Sequence, residues 1–235
     1  ARGWESASVN DDKRSAADFL AESSPFFGFS LSQQIAIVAP LIILGATHVG
    51  TEVGLFYTAN RTPALLGLLL IAANSIIAPK IAALYHNRDL HALDRTFRRS
   101  AMLVTLVAAP ALLVFLAVPG LIMSIFGSEF TASAGYLRIL AIGQLINVVT
   151  GSVGFVLMMT ENARSMLVTT VVTAVVTVAL SLALIPEMGA LGAALATAGS
   201  LTIAAVLRVI FVWRRLGIVA LPLPGRITSP LTRIG

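Results

Sequence analysis

Arg61 lies inside an otherwise oily stretch, GLFYTANRTPALLGLLLIAANSIIAPK at residues 54–80, with Asn60 beside it and Asn74 and Ser75 further along. A guanidinium presents its N–H donors in a rigid planar fork, so in apolar surroundings it must meet an anion, a set of acceptors, or water. At 100° per residue, Tyr57, Asn60, Arg61, Ala64, Gly67, Ile71, Asn74, Ser75 and Ala78 fall within an arc of about 140°. Leu65, Leu66, Leu69 and Ile76 take the opposite side. Three roles fit Arg61. It can snorkel from roughly 10 Å inside an outer interface, line a cavity as a cation awaiting an anionic group, or serve as a buried structural donor. Snorkelling does not require the alignment with Asn60, Asn74 and Ser75.

Gln144 and Asn147 form a second polar set, on one face with Gly151 and Gly154. Amides there either line a cavity or bond helix to helix. Gln33 and Gln34 carry the same two readings. Arg138 lies well off the Gln144 face and near a span end, where snorkelling is the better account. Nothing else has the makings of a reaction centre. His48, His86 and His91 lie in loops without metal-ligand spacing, cysteine is absent, and no Ser/His/Asp arrangement, glycine-rich dinucleotide loop or phosphate loop is present. The reading is of a protein that is not an enzyme, with no metal and no cofactor. Intramembrane carboxylates, the usual mark of cation coupling, are missing from every span core.

The elements that carry these residues follow from composition. Of 235 residues, 57% are hydrophobic and only 11% charged, against about 25% charged in soluble domains. With a mean hydropathy of +0.91, the chain lacks the polar surface of a soluble domain this size. Long apolar runs without a two-residue alternation predict helices and not a barrel. The expected fold is an all-α polytopic bundle of six spans, at about 27–47, 55–79, 101–126, 137–159, 165–185 and 190–213. These define a transmembrane lobe at 27–215, between a polar segment at 1–26 and a tail at 216–235.

A net charge of +5 could suggest nucleic acid, but its distribution points to a membrane instead. Lys13 and Arg14 precede span one, Lys80, Arg88, Arg95, Arg98 and Arg99 separate spans two and three, Arg164 separates four and five, and Arg214 and Arg215 follow six. The opposite loops, HVGTEVG, GSEFTASAG and PEMGA, contain neither Lys nor Arg. That alternation predicts cytoplasmic termini, membrane lipids as neighbours, and no nucleic-acid partner. Residues 84–99 read as a short amphipathic interfacial helix or a solvated loop. Pro40, Pro63, Pro110 and Pro119 can kink their spans. Gly192, Ala196 and Ser200, with Gly189, Ala193 and Thr197, form small-residue stripes. Thr169, Thr173, Thr177 and Ser181 form a hydroxyl stripe, and packing is the better reading of all of these.

With the helices placed, three stretches resemble segments of the Wzx-type polysaccharide flippases. They are VGLFYTANRTPALLGLL, FGSEFTASAGYLRILAIGQLINVVTGSVGFVLMMTENAR and LSLALIPEMGALGAALATAGS. The resemblance runs from about residue 30 to 217 and is distinctive in combination. The wider superfamily includes multidrug and toxin extrusion carriers and lipid II flippases, with two lobes of six helices around a central cavity. It implies that this chain is the C-terminal lobe, that an N-terminal lobe is its partner, and that the substrate is an undecaprenyl-diphosphate-linked oligosaccharide crossing a bacterial inner membrane. Under it, Arg61 is the expected head-group contact, with Asn60, Asn74, Gln144 and Asn147 as polar lining. Many relatives carry an Asp near IAIVAPLIILG, where this chain has Ala39 and Pro40, so a role for that carboxylate does not transfer. The alternatives are a cation-coupled multidrug exporter of the same superfamily and a non-transporting scaffold subunit.

Overall fold

The computed structural model describes residues 16–87, 90–159 and 163–216, and among them every element is helical. In chain order these are α1 (Ala16–Thr47), α2 (Gly50–Ala64), α3 (Leu66–His86), α4 (Leu90–Ala117), α5 (Pro119–Ser124), a 3-10 turn (Ser128–Ser133), α6 (Ala134–Met159) and α7 (Ala163–Leu216). The chain is an all-α, multi-pass membrane bundle. Large apolar side chains such as Leu103, Leu106 and Leu113 on α4 and Val175 and Leu182 on α7 remain exposed, forming a surface suited to lipid.

Four stretches of the described residues are long and apolar enough to cross a bilayer: Phe27–Thr47, Arg99–Ala117, Ser128–Thr150 and Leu167–Phe211. Two local breaks in the chain shape the spans that were expected. The last stretch is 45 residues, roughly 68 Å of helix against about 30 Å of hydrocarbon. It is folded at Gly189, whose φ of 55° and ψ of −132° are not helical. A Cβ on Gly192 would meet the Leu184 carbonyl, and one on Gly199 would lie 3.5 Å from Leu180. The two arms, 163–188 and 190–216, therefore run back along each other, where spans five and six were expected.

The second break is at Pro63. The expected continuous span at 55–79 is instead two helices that meet at Leu65. Proline has no N–H to donate and crowds the turn before it. The chain recovers through Leu65 N–H donating to Arg61 O at 3.3 Å and Leu68 N–H to Leu65 O at 3.1 Å.

Span three also differs from expectation. It was placed at 101–126, but α4 ends at Ala117. Pro119 disfavours helical geometry in the residue before it, and Val118 sits at φ −131°, ψ 53°. At its other end α4 already begins at Leu90, so the charged residues 90–99 are continuous with the span and are not a separate interfacial helix. Arg88 lies outside the described residues.

The bundle is organised around α6 and α7. The α7 arms pack along α1 and α6, while α6 also meets α2, α3 and α4. Small residues permit this closeness: a Cβ on Gly143 of α6 would come within 2.8 Å of Ala198 Cα on α7. Between apolar helices in lipid, such backbone approach supplies the dispersion contacts that hold a bundle together. One end gathers the turns at residues 47–50, 128–133 and 189. Leu44, Phe56, Ala59, Leu137, Leu140, Ile185, Ala190 and Ala193 form a dry core near this Gly189 end. The opposite end carries Arg99.

Candidate functional site

Glu52 sets the position of α2. It lies in the first turn, and its carboxylate accepts a 3.1 Å hydrogen bond from the Ala190 amide at the start of the second α7 arm. Phe56 and Ala59 then turn into the dry core. Their burial aims the other face, Tyr57, Asn60, Arg61 and Ala64, into a cavity of about 400 Å³ between α1, α2, α6 and α7. Thr58 and Thr62 donate to their own helix, to Gly54 O at 3.0 Å and Thr58 O at 2.9 Å.

Arg61 is exposed within this cavity, with its guanidinium carbon 5.2 Å from the Tyr57 ring centroid, one helical turn back. That stacking fixes a direction without consuming the fork donors. Because α2 starts at Gly50, Arg61 lies roughly 16 Å along the bundle from the Gly189 end. That is deeper than the sequence reading placed it, and the residue faces the cavity.

Helix α6 contributes Gln144 and Asn147 to the same cavity. Gln144 is buried and faces Gly67, where a Cβ would lie 3.6 Å from its Nε2. The structure thus brings Asn60, Arg61, Gln144 and Asn147 together. The side chain of Asn74 is outside what the structure describes. Among the described residues, the expected polar face of span two lines the cavity as far as Gly67. Beyond the break at Leu65, Ile71 and Ser75 are exposed, and Ser75 Oγ donates to Ile71 O at 2.9 Å. Of the two α1 glutamines, Gln33 lines the cavity and Gln34 is exposed away from it.

The sequence reading missed Arg208. It lines the cavity from the second α7 arm and donates from Nη1 to Asn147 Oδ1 at 3.2 Å. The signal was available: Thr197, Ser200, Ala204 and Arg208 recur at helical spacing inside an expected span. The packing reading of the stripes holds for Thr177, Ser181, Ala193 and Ala196, which are buried, whereas Thr173, Thr197 and Ser200 also reach the cavity wall. Arg138 is elsewhere. Its Nε donates to Leu116 O at 3.2 Å, satisfying a carbonyl at the α4 terminus that the helix itself leaves unpaired.

Among the described residues, no Asp or Glu lines the cavity, and no cluster of His, Asp or Glu could hold a metal ion. Two guanidiniums, several amides and hydroxyls, and apolar walls give the cavity a lining chemically suited to an anion that carries hydroxyl or amide groups. The described lining contains no nucleophile–base pair.

Residues 5–225 match the family described as Lipid II flippase MurJ. The chain is also 30% identical, over 166 residues, to the "Probable low-salt glycan biosynthesis flippase Agl15" of Haloferax volcanii. That alignment covers 70% of this chain and 35% of the relative, so the chain spans about a third of the length of the curated relative it matches. No solved structure matches. With the family match running through every described helix, the chain belongs to the MurJ lipid II flippase family.

Proposed function

We propose that this chain is one lobe of a two-lobe flippase, crossing a bacterial inner membrane six times with both termini cytoplasmic. Its substrate is an undecaprenyl-diphosphate-linked oligosaccharide, passed from the cytoplasmic to the outer leaflet. The observation that carries this reading is that Asn60, Arg61, Gln144 and Asn147, from helices far apart in sequence, line one cavity with no carboxylate among its described residues.

A diphosphate cannot enter hydrocarbon unaided, because desolvating its charge costs far more than the prenyl tail gains there. A cavity with a guanidinium offers that charge a bidentate partner. Amides that both donate and accept suit the glycan hydroxyls next to it. The tail stays in lipid while the head group crosses, and rocking of the two lobes alternates access. Asn74 is part of this proposal as a further polar contact. The lack of Lys and Arg in the loops of the Gly189 end, against Lys80, Arg95 and Arg99 at the other, supports the orientation. The flippase name of the Haloferax volcanii relative supports a lipid-linked glycan substrate.

The test is translocation of a fluorescent lipid-linked glycan by the full-length protein in vesicles. At matched protein levels, Arg61→Ala should lose most transport and Arg61→Lys part of it. Full transport by both variants would remove the phosphate contact from this reading.

A further inference from the structure

We propose that Arg208 is a second phosphate-binding cation of the cavity, held on Asn147 until the anionic head group of a lipid displaces the amide. The inference rests on the reading of the cavity as a head-group site and extends it to a residue on a different helix.

Arg208 lies on the cavity face of the second α7 arm, one or two turns beyond Ser200 and Ala204. Its partner is the neutral Asn147 Oδ1 at 3.2 Å. A guanidinium removed from water and offered an amide oxygen is only partly compensated. Its remaining donors form a fork that two phosphate oxygens would fill, and a charge-assisted pair is about twice as strong as the neutral bond it replaces. Asn147 therefore acts as a placeholder. It holds the guanidinium at the cavity wall, and its neutral bond is weaker than the charge-assisted pair an anion would offer.

The two arginines stand at different depths. By helical rise, Arg208 is roughly 28 Å from Gly189 and Arg61 roughly 16 Å from Gly50, both counted from the Gly189 end. The resulting separation, on the order of 12 Å along the bundle, is beyond the hydrogen-bond reach of one phosphate group. By the same rise, Asn60, Gln144 and Ser200 are near the level of Arg61, Asn147 and Gln33 stand between the two arginines, and Thr173 is nearer Arg208. The head group would thus have two successive resting positions, the first near the Arg99 end.

Phenylglyoxal footprinting of the unmodified full-length protein, read by mass spectrometry, tests this without a variant. Farnesyl diphosphate should slow modification of Arg208 severalfold, and farnesol should not. Unchanged modification with farnesyl diphosphate overturns the proposal. Protection by inorganic pyrophosphate alone would assign a soluble anion to the site and overturn its lipid-linked part.

Direct binding of farnesyl diphosphate gives the second measurement. Arg208→Gln should weaken it about tenfold or more, with Arg208→Lys in between and farnesol binding equal in all. Equal losses for farnesol and farnesyl diphosphate would make Arg208 a structural residue. Arg61→Gln in the same assay separates the two readings. A loss there with none in Arg208→Gln leaves the head-group site standing and overturns this inference. A loss in Arg208→Gln alone supports Arg208 and removes Arg61, and no loss in either sinks both.

Discussion

The Glu52 carboxylate accepts the Ala190 amide at 3.1 Å, across 138 residues of sequence. That amide opens the second arm of α7, where the first N–H groups of a helix have no partner within it. One acidic side chain thus caps a helix, closes the α7 hairpin, and fixes the depth at which α2 presents Arg61.

Glu52→Ala should destabilise the protein by about 1–3 kcal/mol, because it strands a partly buried donor. Glu52→Gln keeps an acceptor and should lose about half as much. Thermal unfolding in detergent checks the order. Equal stability in both variants would mean that water replaces the carboxylate without cost.

The α7 turn should tolerate no side chain at two glycines. Gly189 has φ +55° and abuts Glu52, while a Cβ on Gly192 would meet the Leu184 main chain. Gly189→Ala should cost about 1–3 kcal/mol in backbone strain, and Gly192→Ala about as much by forcing the arms apart. A Cβ added to Gly135, in the first turns of α6, would meet nothing within 4 Å. Gly135→Ala should be neutral or stabilising by up to about 1 kcal/mol. Unfolding midpoints for the three variants decide it.

The sequence has no cysteine, so single cysteines report without background. Tyr57→Cys and Ala64→Cys should react with a water-soluble maleimide through the cavity. Leu65→Cys and Leu68→Cys, exposed but not on the cavity wall, should react slowly, because a thiol in lipid ionises poorly. Equal rates at all four positions would contradict a wet cavity on one side of α2.

Arg61→Ala should leave stability within about 1 kcal/mol, since it removes only an exposed stacking contact with Tyr57. The same substitution should cut translocation at least tenfold, the scale of a lost charge-assisted contact. Arg61→Lys should recover part of the transport, because an ammonium keeps the charge but not the planar fork. Measured side by side, a large stability loss with a matching transport loss would make Arg61 a structural residue.

Much of this protein was legible from residue order. The Phe27–Thr47 span, the polar grouping of Asn60 with Arg61, and the Gln144–Asn147 pair all follow from hydropathy and helical periodicity, which are local properties. The misreading of span two comes from one assumption. Periodicity assumes an unbroken helix, so the face drawn from Tyr57 to Ala78 ran through Pro63 as if nothing happened there. The chain instead starts a new helix at Leu66, and Ile71 and Ser75 leave the face. Spacing could place Arg208 on a face with Thr197, Ser200 and Ala204, but not its partner Asn147, 61 residues away.

The sequence by itself determined that the chain is a helical membrane protein, where its charges concentrate, and which residues are polar within apolar helices. Those properties depend on transfer free energies and on a period of 3.6 residues. Only the tertiary structure decided that Asn60, Arg61, Gln144, Asn147 and Arg208 share one cavity, and that Glu52 joins the Ala190 amide. These juxtapositions depend on where Gly189 and Pro63 break the helices, and on how closely Gly143 and Gly192 let the backbones approach.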